Sequence, residues 1–214
     1  NISVIGEERE TTIIDGGGNG SVVTFENGEN YSALLKKFTI TNGLNLGQNG
    51  NFAASGGVSI YFSSPTIDSC IIINNTSWDG GGLAGYKSSP LIKFCIIVNN
   101  IAQSVGGGMF FDGWDWGHPE PSGGTNLAAS APILLNCTIY DNFSQLDIAH
   151  SAKFHYSDGT LINCIFPISE NQISLSTDNF PSEFSINYSN IEGAWEGEGN
   201  ISEDPQFNED YTLK

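Results

Sequence analysis

The residue types able to do chemistry concentrate in one stretch, Asp112-Gly113-Trp114-Asp115-Trp116-Gly117-His118-Pro119-Glu120. Indole faces stack on the apolar faces of pyranose rings, and carboxylates accept hydrogen bonds from sugar hydroxyls. Trp78 and Asp79 repeat that pairing on a separate turn. Trp78, Asp79, Asp112, Trp114, Asp115, Trp116, His118 and Glu120 are therefore the candidate ligand-binding residues of a carbohydrate site. Turnover of a glycoside would need two carboxyl groups at a suitable separation, one of them protonated. Asp79, Asp112, Asp115 and Glu120 offer the carboxyls, and His118 stands among them to assist. The competing reading of the same loop is structural, with the tryptophans folded down as a lid over exposed surface.

Charge narrows the partners. The 214 residues carry 24 acidic against seven basic side chains, for a net charge of −17, and Arg9 is the sole arginine. Such a surface repels phosphate backbones, which excludes nucleic acid, and it disfavours polyanionic sugars unless a cation bridges the repulsion. Calcium is the cofactor that hard carboxylates would take, at Asp15-Gly16-Gly17-Gly18-Asn19 or among the carboxylates of 112–120. Neither stretch has the alternating oxygen ligands of a calcium loop, so no cofactor is expected. His118, His150 and His155 share no spacing with each other or with cysteine pairs, so no metal site is expected either. No apolar run approaches the ~20 residues that span a bilayer. The chain starts strand-like at Asn1-Ile2-Ser3-Val4-Ile5 without a basic-then-apolar signal segment, and reads as a piece of a longer exported protein.

The elements that would position these residues come from an internal repeat. Ser63-Ser64-Pro65-Thr66-Ile67-Asp68-Ser69-Cys70-Ile71-Ile72-Ile73-Asn74-Asn75 aligns without gaps to 88–100 and 130–142. One slot holds Phe38, Cys70, Cys95, Cys137, Cys164 and Ser189, at intervals of 32, 25, 42, 27 and 25. Leu35, Ile67, Ile92, Leu134, Leu161 and Ile186 stand three residues before it. Ile40, Ile72, Ile97, Ile139, Phe166 and Ile191 stand two after it. Near-alternate apolar spacing and β-branched residues make these units strands. Like residues recurring once per unit require stacked parallel strands, because no unit buries its own apolar face. The fold class is thus all-β, a parallel β-helix of about six to seven rungs of ~25 residues, right-handed as parallel crossovers are. Residues 1–214 read as one β-helix domain, with 192–214 as a C-terminal closing segment.

Two side-chain ladders follow. The four cysteines share one core-facing slot and act as small apolar residues, not as disulfide partners. Asn75, Asn100 and Asn142 close their strands at one register, which predicts amides bonded to the rungs above and below. Gly56-Gly57, Gly80-Gly81-Gly82 and Gly106-Gly107-Gly108 each lead a short strand and are read as tight corners needing unusual backbone angles.

The runs Gly-Gly-Gly…Ser-Ser-Pro-x-Ile-x-x-Cys-x-Ile-x-x-Asn-Asn resemble the parallel β-helix repeats of the pectate-lyase-like superfamily, found in large secreted and surface proteins of bacteria. The stretch Tyr188 to Leu213 resembles the segment that closes such helices before further domains. The resemblance implies an extracellular or cell-surface setting, and an extended sugar held by loops over one parallel sheet. Its lyases use an Arg or Lys base beside calcium-binding carboxylates. Here Arg9 lies far from the insertions, and Lys87 and Lys93 are the only basic residues on the central rungs. The signatures of its polygalacturonases are absent.

Two intervals exceed 25 substantially, which places insertions at 43–55 and at 112–129, with a shorter turn at 76–80. These would wall the face formed by Val58, Leu83 and Met109 with outward neighbours Ser59, Ala84 and either Phe110 or Phe111. The expectation is a non-catalytic extracellular module that contacts polysaccharide through these loops. The alternatives are a polysaccharide lyase or glycoside hydrolase using carboxylates of the 112–120 loop, and a structural spacer or adhesin stalk.

Overall fold

The computed structural model describes residues 1–47, 54–113, 130–146, 149–166, 173–176, 184–193 and 195–208. These residues form 22 strands and no helix. The strands assemble into four all-parallel sheets, the arrangement of a parallel β solenoid. The first sheet has seven strands, from Ser3–Ile5 through Leu34–Lys36, Thr66–Asp68, Leu91–Lys93, Ile133–Leu135 and Gly159–Ile162 to Phe184–Asn187. The second has five strands, with Ile71–Ile73, Ile96–Val98 and Thr138–Tyr140 at its centre. The third is a four-stranded sheet of two-residue strands, Leu44–Asn45, Thr76–Ser77, Ile101–Ala102 and Phe143–Ser144. The fourth has six strands, among them Val58–Tyr61, Leu83–Tyr86, Met109–Asp112 and Ala152–His155.

Every repeat position read as core is core. The Leu35, Phe38 and Ile40 slots, with their equivalents up to Ile186, Ser189 and Ile191, are all buried. Ile67 pairs in register with Ile92, and Ile92 with Leu134, so like side chains stack at about 4.8 Å along the axis. The corner between the first two sheets is a single residue in the left-handed region: Lys37, Ser69, Phe94, Asn136, Asn163 or Tyr188. Non-glycine residues there cost strain, and the stacked rungs on both sides hold it. The turn swings the next residue inward, and that residue is the cysteine slot.

All four thiols are free and buried. Cys95 Sγ donates to the Lys93 carbonyl at 3.3 Å, and Cys137 Sγ to Leu135 at 3.4 Å. Burial pushes both thiols up, because a thiolate there would lose its water. The slot ends in oxygen chemistry: Ser189 Oγ accepts the Cys164 N–H at 3.0 Å, and Asn200 Oδ1 accepts the Ser189 N–H at 3.0 Å.

The asparagine ladder is present. Asn100 donates from Nδ2 to the Ile72 carbonyl at 2.9 Å and to Asn142 Oδ1 at 3.0 Å. Its Oδ1 accepts from the Asn75 N–H and the Asn75 amide, both at 3.0 Å. The ladder explains the glycine runs differently from the corner argument. Only Gly80 and Gly106 among them have positive φ. Gly57, Gly82 and Gly108 lie where a Cβ would collide with the backbone of the next strand and crowd an asparagine amide. Close approach, not turn geometry, selects glycine at those three.

Replacing Asn100 by Ala removes four hydrogen bonds and leaves buried backbone groups unpaired. The expected loss is about 3 kcal/mol of unfolding free energy, read by urea titration. In the native state none of the four thiols should react with DTNB over minutes, and all four should react in denaturant.

Candidate functional site

The six-stranded sheet alternates inward and outward residues. Val58, Ile60, Leu83, Met109, Phe111, Ala152 and Phe154 face the core. Phe111 stacks on Phe154 with centroids 5.9 Å apart, in room left by Gly85, where a Cβ would meet the Phe111 ring. This settles the outward residue as Phe110.

The outward positions form two rows. The first, in register, is Ser59, Ala84, Phe110 and Lys153. Contrary to the expected groove floor, Ser59, Ala84 and Phe110 are buried. Ser59 Oγ accepts the Ser55 N–H at 2.8 Å, and Val105 packs on Ala84 and Phe110. The turns that precede the glycines fold over this row, because two adjacent small residues leave space for them.

The second row is Tyr61, Tyr86, Asp112 and His155, side by side on four consecutive strands. Tyr61 and Tyr86 lie 6.5 Å apart, and Phe62 meets Tyr86 edge-on at 5.3 Å. Lys87 Nζ sits 5.8 Å from the Tyr86 centroid and 5.9 Å from that of Phe62. Burial, aided by the charge of Glu26, pushes the Tyr61 hydroxyl up to about 12, so it stays a neutral donor. Asp112 is 1% exposed, and its Oδ1 lies 3.0 Å from His155 Nδ1. Tyr156 braces the imidazole edge-on at 4.3 Å. Lys153, two residues before His155 on the same face, donates to Ser174 Oγ at 3.0 Å.

Of the residues singled out in the sequence, the structure brings Asp79 and Asp112 into electrostatic reach of each other. Asp79 is buried on the turn that covers the first row, where Ser104 and the Val105 N–H bond its carboxyl. Its Oδ1 has no hydrogen-bond partner. Desolvation raises its pKa, and the nearby Asp112 adds to that, against the lowering by Ser104 and Val105. Trp78 is next to it and half-exposed, packed beside Gly47 on the rim. Trp114, Asp115, Trp116, His118 and Glu120 lie outside the described residues, as do most of the 112–129 loop and residues 48–53. Sequence reasoning missed Tyr61, Tyr86, Lys153 and His155. The signal was available as the third residue after Val58, Leu83, Met109 and Ala152, but the last of these strands lacks a glycine lead.

Of the basic residues considered for lyase chemistry, Lys87 lies beside Tyr86 on this face, while Lys93 and Arg9 are engaged elsewhere. Lys93 and Lys36 both grip Asp68 Oδ2, at 3.3 and 3.0 Å, and Arg9 binds Glu10 and the Phe94 carbonyl. Burial opposes charge on Asp68, but Ser69 and the two lysines outweigh it and hold its pKa below the usual range. The Asp15 carboxylate accepts from the Gly17 N–H of its own turn through one oxygen and from the Asn42 amide of the neighbouring repeat through the other. Among the described residues no three His, Cys, Asp or Glu side chains converge as a metal site. A separate open groove of about 730 Å³ lies between Tyr31 and Phe184, floored by Ser89, Ala131 and Thr160. It holds none of the charged pairs described above.

Because the folded-state pKa of Asp79 is raised, the folded chain holds its proton more tightly than the unfolded chain. This group's contribution is fully present below the ordinary value near 3.8 and is lost as pH rises through the raised one. Asp79→Asn should therefore be more stable than wild type at pH 7, with the difference vanishing below about pH 3.8 in urea titrations across pH.

Comparison with family models, curated proteins and solved structures gives no match to this chain, so the functional reading rests on the chemistry of this face.

Proposed function

We propose that this chain is a right-handed parallel β-helix of six to seven rungs, about 25 residues each, from an exported protein of the pectate-lyase-like kind. On this reading it contacts polysaccharide across the outer face of the six-stranded sheet. The observation that carries it is the in-register row Tyr61, Tyr86, Asp112, His155. Aromatic rings followed by a carboxylate and an imidazole, repeated at strand spacing, suit a ligand that is itself extended and repeating. The described turn at 76–80 borders that face, with Trp78 half-exposed and Asp79 buried on it. Of the loops 43–55 and 112–129, expected to join it, residues 48–53 and 114–129 lie outside the described residues.

The net charge of −17 favours a neutral glycan over a uronate polymer. Binding is preferred to glycoside cleavage because Asp112 is held by His155 and is not left open toward a sugar carbon. Among the described residues of this face, Asp79 is the one carboxyl with a raised pKa and it is buried, whereas glycoside hydrolysis needs two carboxyls open to the sugar.

Affinity electrophoresis through gels cast with neutral polysaccharides tests the reading. Wild type should be retarded by at least one of them, and Tyr86→Ala should weaken retention about tenfold with unchanged circular dichroism. Equal retention of both proteins in every gel, or free migration throughout, would favour the spacer reading.

A further inference from the structure

The geometry points to Asp112 and His155 as a general-base dyad that hydrolyses a carboxylic ester, of the O-acyl kind carried by glycan hydroxyls. The choice of glycan as carrier rests on the reading above; the chemistry of the dyad does not.

Asp112 is buried on one strand and bonds His155 Nδ1 on the next, at 3.0 Å. A buried carboxylate in that place fixes the tautomer with the proton on Nδ1 and stabilises the imidazolium when it forms. Nε2 then carries the lone pair. Among the described residues Nε2 has no hydrogen-bond partner, and the His155 side chain is 25% exposed. The Tyr156 ring limits its rotation. A partly exposed imidazole held by a buried carboxylate, with no partner for Nε2 among the described residues, has the arrangement a water-activating base requires.

The neighbours select the reaction. Lys153 projects from the same face two residues earlier, held near Ser174. Its ammonium opposes the cationic transition state of glycoside cleavage and favours the oxyanion formed when an acyl carbonyl is attacked. Among the described residues, the charges around His155 are Asp112 on the adjacent strand, Asp79 beyond it and Lys153 on its own strand. In the step, Nε2 takes a proton from water as the water oxygen bonds to the acyl carbon. The carbon–oxygen bond to the sugar then breaks, and the imidazolium proton passes to the departing oxygen. The products are a carboxylic acid and a free sugar hydroxyl, with no change in oxidation state.

Wild type, His155→Ala, His155→Gln and Asp112→Asn, each checked by near-ultraviolet circular dichroism, are assayed with p-nitrophenyl acetate and with an O-acetylated neutral polysaccharide. Wild type should hydrolyse both. Both His155 variants should lose about 100-fold or more, and free imidazole should restore part of the His155→Ala rate on the small ester. Asp112→Asn should fall by a similar factor and shift the acid limb of the pH–rate profile. A wild-type rate on p-nitrophenyl acetate no greater than that of the His155 variants would overturn the proposal, with His155→Gln carrying the comparison if His155→Ala does not fold. The small ester needs no sugar contact. Its hydrolysis without retention in any glycan gel would remove the glycan reading alone, and retention without ester hydrolysis would remove the dyad alone.

Discussion

A strand of three or four residues cannot bury an apolar face by itself, so each one here depends on an equivalent strand stacked directly above and below. That constraint acts residue by residue. Ile72 lies between Ile40 and Ile97 because parallel register puts the same position of each repeat in one column. A polar residue enters such a column only if it bonds along it. Asn100 does so between Asn75 and Asn142, and its oxygen and amide also pair the Asn75 N–H and the Ile72 carbonyl at the strand ends it serves. The cysteines meet the same requirement more weakly, with thiols that donate to carbonyls two residues back and are otherwise apolar filler.

The outward face of the same strands is released from that constraint, and this is where chemistry can collect. Inward residues of the six-stranded sheet are Val, Ile, Leu, Met, Phe and Ala, with Gly85 as the exception that admits Phe111. Outward, the same register delivers Tyr61, Tyr86, Asp112 and His155 in sequence. Parallel pairing brings residues that are 43 apart in the chain, Asp112 and His155, within hydrogen-bond distance on neighbouring strands. The first outward row went the other way. Ser59 and Ala84 are small, so the preceding turns close over them and carry Asp79 into a buried position. The rigid stack thus both supplies the site and decides which outward residues stay available.

What the sequence revealed follows the same division. The columns at Leu35, Phe38 and Ile40 were legible because burial enforces one residue type at one spacing. The asparagine ladder was legible because its register is fixed to those columns. The corner residues Ser69, Phe94 and Asn136 were not, since positive φ there is imposed by the stack and leaves no residue signature. The reason for Gly57, Gly82 and Gly108 was misread, because crowding by an asparagine amide is a contact between repeats and invisible within one. His155 was missed because its strand is led by His150 and Ser151 where its neighbours have glycine, so the position it shares with Tyr61, Tyr86 and Asp112 was not followed into that repeat. Asp79 and Asp112 were singled out for their chemistry, but only pairing shows that they lie near each other and that Asp112 serves an imidazole.

The central claim is that the repeat register alone specifies the stack, and deleting one repeat tests it most directly. Thr66 pairs with Leu91, so removing residues 66–90 lets Leu91 follow Pro65 with every column preserved. Removing 66–89 instead shifts each later column by one residue and points core side chains outward. The account predicts that the in-register deletion unfolds cooperatively in urea with a smaller m-value, while the out-of-register deletion shows no cooperative transition. Two deletions that fold equally well, or fail equally, would contradict it.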